Sequence, residues 1–197
     1  LCLAGASYNA NDGAHNKSNV NLYVIDNATP VPENSGRSFV WSADIMLGDN
    51  IADGNLVNFI CSLVKDNPST SKNEHYAIQF APVRISANGG LYCGNTLICN
   101  LSKNNYTNVA IHVNVQDNTF DLYINGIQRV LANPFLTVDR VDEIKSYQGF
   151  ENGFSLSQVT FYRDGLATSC PQYFGKLFYF DNVTLFLSDI FPTYFKD

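Results

Sequence analysis

The 197 residues carry a formal net charge of -6 and no basic stripe, which argues against nucleic acid as a partner. Apolar residues make up 45% and charged residues only 15%, enough for one sizeable core in a single domain spanning residues 1–197. No apolar run approaches the roughly 18 residues a membrane-spanning helix needs, so no transmembrane segment is expected.

The opening Leu1-Cys2-Leu3-Ala4-Gly5-Ala6 reads as a short first strand, or as a signal-peptide remnant ending in small residues. Residues 7–19 are Asn, Gly and Ser rich and read as a loop. Val20 to Ile25 follows as a strand, and Asp26 to Gly36, with two prolines, as a connection. From Ser38 to Leu47 the residues Phe39, Trp41, Ala43, Ile45 and Leu47 alternate with Val40, Ser42, Asp44 and Met46, the period of a strand with one buried face. Leu56 to Val64, Tyr76 to Phe80 and Val83 to Ser86 continue the pattern, with Pro82 as a bend.

The clearest signal lies between Asn108 and Val130. Val109, Ile111, Val113 and Val115 alternate with Ala110, His112, Asn114 and Gln116. Asp117-Asn118 has turn chemistry, since both residues tolerate positive φ. Phe120, Leu122 and Ile124 then alternate with Thr119, Asp121 and Tyr123, and Asn125-Gly126 is a strong two-residue hairpin signal. Three antiparallel strands in a meander are predicted. Residues 138–147 suit either a short helix or a strand. Ser157 to Arg163 alternates as a strand. Phe174 to Leu187 is aromatic on both phases and reads as a strand buried on both sides or covered. Roughly ten to thirteen strands with regular turns predict an all-β, two-sheet antiparallel sandwich.

Cys2, Cys61, Cys93, Cys99 and Cys170 are odd in number, so at least one has no partner within the chain. Cys93 and Cys99 bracket a loop that a disulfide would close. Sequons stand at Asn16, Asn27, Asn100, Asn105 and Asn182, as expected of a secreted glycoprotein at the cell surface or outside the cell. Three histidines and no Cys-x-x-Cys leave little for zinc. Asp49, Asn50, Asp53 and Asn55 offer oxygens on a flexible loop, the chemistry calcium prefers, although the spacing is not that of an EF-hand and a plain turn accounts for them better.

If the apolar phases face the core, Asp44, Asn58, Gln79, Arg84, His112, Asn114, Gln116 and Tyr123 point away from it. Asp44, Gln79, Arg84, His112, Asn114 and Tyr123 are then the candidate ligand contacts, polar groups for sugar hydroxyls with Tyr123 as a stacking ring. An ordinary solvated sheet face is the alternative. Catalysis finds less to rest on. No paired carboxylates of the kind a glycosidase needs are clustered, and no Gly-x-Ser-x-Gly elbow occurs. Arg84, His112, Asn114 and Tyr123 are the residue types of a polysaccharide lyase, which removes a proton and neutralises a neighbouring carboxylate.

Ser38-Phe39-Val40-Trp41-Ser42-Ala43-Asp44-Ile45 resembles an early strand of concanavalin A-like, laminin-G-like jelly rolls. Tyr76 to Phe80, the Phe120-Asp121-Leu122-Tyr123-Ile124-Asn125-Gly126 hairpin and the closing Phe180-Asp181-Asn182-Val183-Thr184-Leu185-Phe186 strand resemble later pieces of the same fold. The resemblance covers most of residues 36–190. It implies a jelly-roll sandwich of the kind used by lectins, carbohydrate-binding modules (those attached to sialidases among them), adhesion domains, glycoside hydrolases and polysaccharide lyases. A carbohydrate or glycoprotein partner follows as the expectation, with self-association in an extracellular assembly and lyase activity as alternatives.

Overall fold

The computed structural model describes residues 2–4, 20–23, 38–48, 53–67, 72–115, 117–135, 155–164 and 176–187. They form thirteen strands and no helix. In chain order these are β1 (Cys2–Ala4), β2 (Val20–Tyr23), β3 (Phe39–Leu47), β4 (Gly54–Asn67), β5 (Lys72–Phe80), β6 (Arg84–Ile85), β7 (Gly90–Cys93), β8 (Thr96–Asn100), β9 (Thr107–Asn114), β10 (Thr119–Ile124), β11 (Ile127–Pro134), β12 (Ser155–Asp164) and β13 (Lys176–Leu187). Residues 7–19 and 138–147 lie outside the described residues.

The strands make two antiparallel sheets. The first has the order β1-β13-β3-β9-β10-β11, the second β2-β12-β4-β6-β7-β8, with β5 also paired to β4. The all-β sandwich expected from the alternating pattern is therefore the fold. The Asn108–Val130 meander is β9, β10 and β11. Its tip has Asn125 at φ 49 and Gly126 at φ 74, both central residues left-handed, as the tight Asn-Gly turn requires. Asn118, at φ 55, makes the preceding turn.

The inward phases meet in one core. Phe39, Trp41, Ala43 and Ile45 of β3 and Val109, Ile111 and Val113 of β9 are fully buried, facing Val57 and Phe59 of β4 and Val159 of β12. Aromatic rings join the layers. Phe59 of the second sheet meets Phe39 edge-on at 5.1 Å and Trp41 at 6.4 Å, and Phe80 stacks on Phe135 at 4.1 Å.

Two expectations about individual strands are corrected. Residues 93–99 are no open loop but the tip of the β7–β8 hairpin, with Cys93 opposite Thr96 and Cys99 opposite Leu91. That offset keeps the two thiols from facing each other, and both are free, so the Cys93–Cys99 disulfide is not formed. The second correction concerns β13, whose aromatics occupy both phases. Phe178 pairs with Leu47 and Phe180 with Ile45, but beyond an irregularity at Asn182 and Val183 it is Leu185 and Leu187 that pair with Trp41 and Phe39. Asn182 adopts φ 47 there. A bulge thus switches the inward phase from even to odd residues, which accounts for the double pattern without two-sided burial of the whole strand.

Candidate functional site

Strand register defines the outward face of the first sheet. One rung runs Phe186, Val40, His112, Asp121 across β13, β3, β9 and β10. The next runs Thr184, Ser42, Ala110, Tyr123, and the third brings Asp181, Asp44 and Asn108 side by side. Asp44, His112, Asn114 and Tyr123 therefore share the outward face that alternation assigns them. Outward, however, does not mean open.

The half carrying His112 is closed. Val40 and Ala110 are fully buried and pack with Tyr123 and the half-buried Phe186 as a second, smaller apolar cluster. His112 is 8% exposed and Tyr123 7%. That burial leaves no open groove over His112 and no exposed ring at Tyr123 for stacking. His112 Nδ1 lies 3.6 Å from Asp121 Oδ2. Burial, then the Asp121 charge, pushes the Tyr123 phenol above its ordinary value. Asn114 is spent on its turn: its Nδ2 donates to Asp117 Oδ2 at 2.7 Å and its Oδ1 accepts from Asp117 N at 3.2 Å.

The other half is open, and Asp44 is its centre. Asn108 Nδ2 donates to Asp44 Oδ1 at 2.8 Å, and Asn182 Nδ2 donates to Asp44 Oδ2 at 2.6 Å. Asn108 also reaches Ser42 Oγ at 3.3 Å, and its backbone N–H donates to Asn125 Oδ1 at 2.9 Å. Three strands and a hairpin tip are thus tied into one polar patch. Asp181 and Asn182 are exposed, and Asp44 and Asn108 half-buried. Tyr106, immediately before β9 and on the phase of Asn108, is 47% exposed. Tyr179 and Met46 form the adjoining rung, both half-buried. The bulge serves this patch directly, since the left-handed turn at Asn182 sends its amide back toward Asp44.

Chemically the patch is rich in acceptors. Asp44 uses both oxygens on amide donors, which fixes the carboxylate in place. Among the described residues, no hydrogen bond involves Asn108 Oδ1, Asn182 Oδ1 or Asp181 Oδ2. Such oxygens are suited to hydroxyl donors.

The remaining expectations fall elsewhere. Gln79 and Arg84 belong to the second sheet, Gln79 opposite Ile60 and Arg84 opposite Tyr92. They join no site with Asp44 or His112, and the lyase set of Arg84, His112, Asn114 and Tyr123 is divided between two sheets. Arg84 lies 4.4 Å over the Tyr92 ring and its Nε donates to the Gly94 carbonyl at 3.2 Å. Asn58 is buried at 2%, accepting from Asn55 Nδ2. Gln116 and Asp49 lie outside the described residues. Asp53 Oδ1 accepts from Ala87 N at 2.7 Å and anchors that turn. Among the described residues no three His, Cys, Asp or Glu side chains gather as metal ligands. Of the sequons, Asn100 and Asn105 are exposed, Asn182 is held by Asp44, and Asn16 and Asn27 lie outside the described residues.

Asn108, Asp181 and Tyr106 were not among the sequence candidates, and Asn182 was one only as a sequon. Asn108 shares the phase of His112, so alternation alone could have found it. Asn182 could not be found this way, because its position depends on the bulge.

No family model matches the chain, and no curated protein matches it. Similar solved structures include a Trypanosoma rangeli sialidase in complex with 2,3-difluorosialic acid, at 10% identity and TM-score 0.46 over 79% of this chain and 21% of that one. The binding domain of botulinum neurotoxin DC in complex with rat synaptotagmin II is similar at 17% identity and TM-score 0.45, over 90% of this chain and 38% of that one. Domain 4 of an extracellular arabinanase from Geobacillus stearothermophilus, in complex with arabinotriose, is similar at 14% identity and TM-score 0.42, over 82% of this chain and 66% of that one. The chain spans about a fifth of the sialidase. At such scores these likenesses bear on no residue of the patch. Among the described residues no helix is long and apolar enough to cross a membrane.

Proposed function

We propose that this sandwich is a lectin-like glycan-binding module of the concanavalin A-like, laminin-G-like jelly-roll type, without catalysis of its own, working at or beyond the cell surface. The observation that carries the reading is the Asp44 carboxylate clamped between the Asn108 and Asn182 amides on an open sheet face. Fixed carboxylate and amide oxygens accept hydrogen bonds from sugar hydroxyls without reorganising. Isothermal titration against a panel of oligosaccharides tests the reading. Binding is expected for the native protein, with at least about tenfold loss in Asn182→Ala and Asp44→Ala, worth about 1.4 kcal/mol. Glycan binding that survives both substitutions in folded protein sinks the assignment to this patch.

An assembly module is the second reading, and β11 favours it. It is the last strand of its sheet, with Leu131 71% and Ile127 57% exposed. Sedimentation of the native protein against Leu131→Lys tests it: an oligomer dissolved by the lysine supports assembly, and a monomer in both rejects it.

A further inference from the structure

We infer that the ligand of the Asp44 patch is an uncharged, hydroxyl-rich sugar, and that glycans ending in an acidic sugar are rejected there. This rests on the glycan-binding reading and narrows it. Three features of the patch point the same way. Asp44 and Asp181 are direct partners across β3 and β13, so two carboxylates share one rung. No described Arg, Lys or His stands on that rung with them. Lys103, on the loop leading to β9, has an interaction of its own.

The second feature is the hydrogen-bond inventory. Asn108 commits its amide N–H groups to Asp44 and Ser42, and Asn182 commits one to Asp44. Asp181 Oδ1 accepts from the Asn182 backbone N–H at 2.9 Å, which leaves Oδ2. What faces a ligand is therefore mostly acceptors. A sugar hydroxyl brings a donor to each of them, whereas a sialate or uronate carboxylate brings only further acceptors. The third feature is the long-range field. The chain's net charge of -6 repels an anionic ligand before contact, most strongly at low salt.

The test uses the native protein and two matched oligosaccharide series, one ending in neutral hexose or pentose and the other capped with sialic or uronic acid. Neutral members are expected to bind, with capped members at least about tenfold weaker and the gap narrowing as salt rises. Asp181→Asn, an exposed substitution, is expected to reduce that gap at least threefold, while Asn182→Ala weakens the neutral series. Capped glycans that bind the native protein as tightly as the neutral ones, and that Asn182→Ala weakens to the same degree, overturn this inference and leave glycan binding standing. No binding of either series by folded protein overturns both.

Discussion

Asn182 Nδ2 donates to Asp44 Oδ2 at 2.6 Å, joining residues 138 positions apart. The bond crosses from the bulge of β13 to the middle of β3, and Asn108 meets the same carboxylate from β9. Asp44 therefore fastens three strands as well as presenting a polar face. Asp44→Ala is expected to lower folding stability by about 1–2 kcal/mol, because two amides lose a charged acceptor. A double-mutant cycle with Asn182→Ala, read by denaturant titration, should return a coupling of about 0.5–1.5 kcal/mol. Strict additivity would mean the bond contributes nothing.

Gly89 sits just before β7, where the C-terminal end of β3 at Leu47 approaches it. Its φ is 81, and a Cβ there would lie 2.5 Å from Leu47 Cδ1. Gly89 O also accepts from Leu101 N. Gly89→Ala is expected to cost about 1–3 kcal/mol, combining backbone strain with the clash. Gly94, at φ 56 with nothing within 4 Å, is the control, and its alanine variant should lose only about 1 kcal/mol. Equal costs in thermal denaturation would remove the packing part of the explanation.

Tyr123 predicts an alkaline dependence of stability. Its phenol is raised above the ordinary value of 10.0 by burial and by Asp121. A raised folded value favours the protonated form in the fold. Its contribution is therefore fully present below about pH 10 and is lost as pH climbs through the folded value. Denaturant midpoints of native protein and Tyr123→Phe, followed from pH 8 to 11, should diverge, with the native protein falling more steeply. Parallel curves would show that the phenol ionises without opposition.

Burial pushes the Cys93 and Cys99 thiols upward, and the Arg129 charge partly offsets this at Cys99. At pH 8 both should alkylate more slowly in native protein than in denatured protein, since less thiolate is present. Arg129→Ala should slow Cys99 further and leave Cys93 unchanged. Peptide mapping of iodoacetamide adducts measures both rates, and a faster Cys99 in the variant would contradict the electrostatic account.

The fold was legible where chemistry is local. Alternation through Val109–Val115 and Phe120–Ile124, with Asn125-Gly126 between strands, carries its own geometry and yields the meander directly. The bulge was hidden because Val183 and Leu185 carry the alternation on past Asp181-Asn182, and aromatics on both phases imitate a strand buried on both sides. The site was legible to the extent that side-chain phase decides it. Asp44, His112 and Tyr123 do point outward, but Val40 and Ala110 on the same phase already told against an open face there. Sheet membership of Gln79 and Arg84 depends on which distant strands pair, and β3 beside β9 is a long-range pairing that periodicity cannot express.

Asn182 is also the first residue of an Asn-Val-Thr sequon. A secretory pathway that reads sequons meets this asparagine on the nascent chain, before β13 has docked on β3 and Asp44 has taken hold of its amide. An oligosaccharide attached then would stand over Asp44 in the mature protein and occupy the patch from within. The organism or cell line used for production thus becomes an experimental variable. Protein made where sequons are ignored presents a vacant patch, and protein made where they are read carries a built-in competitor.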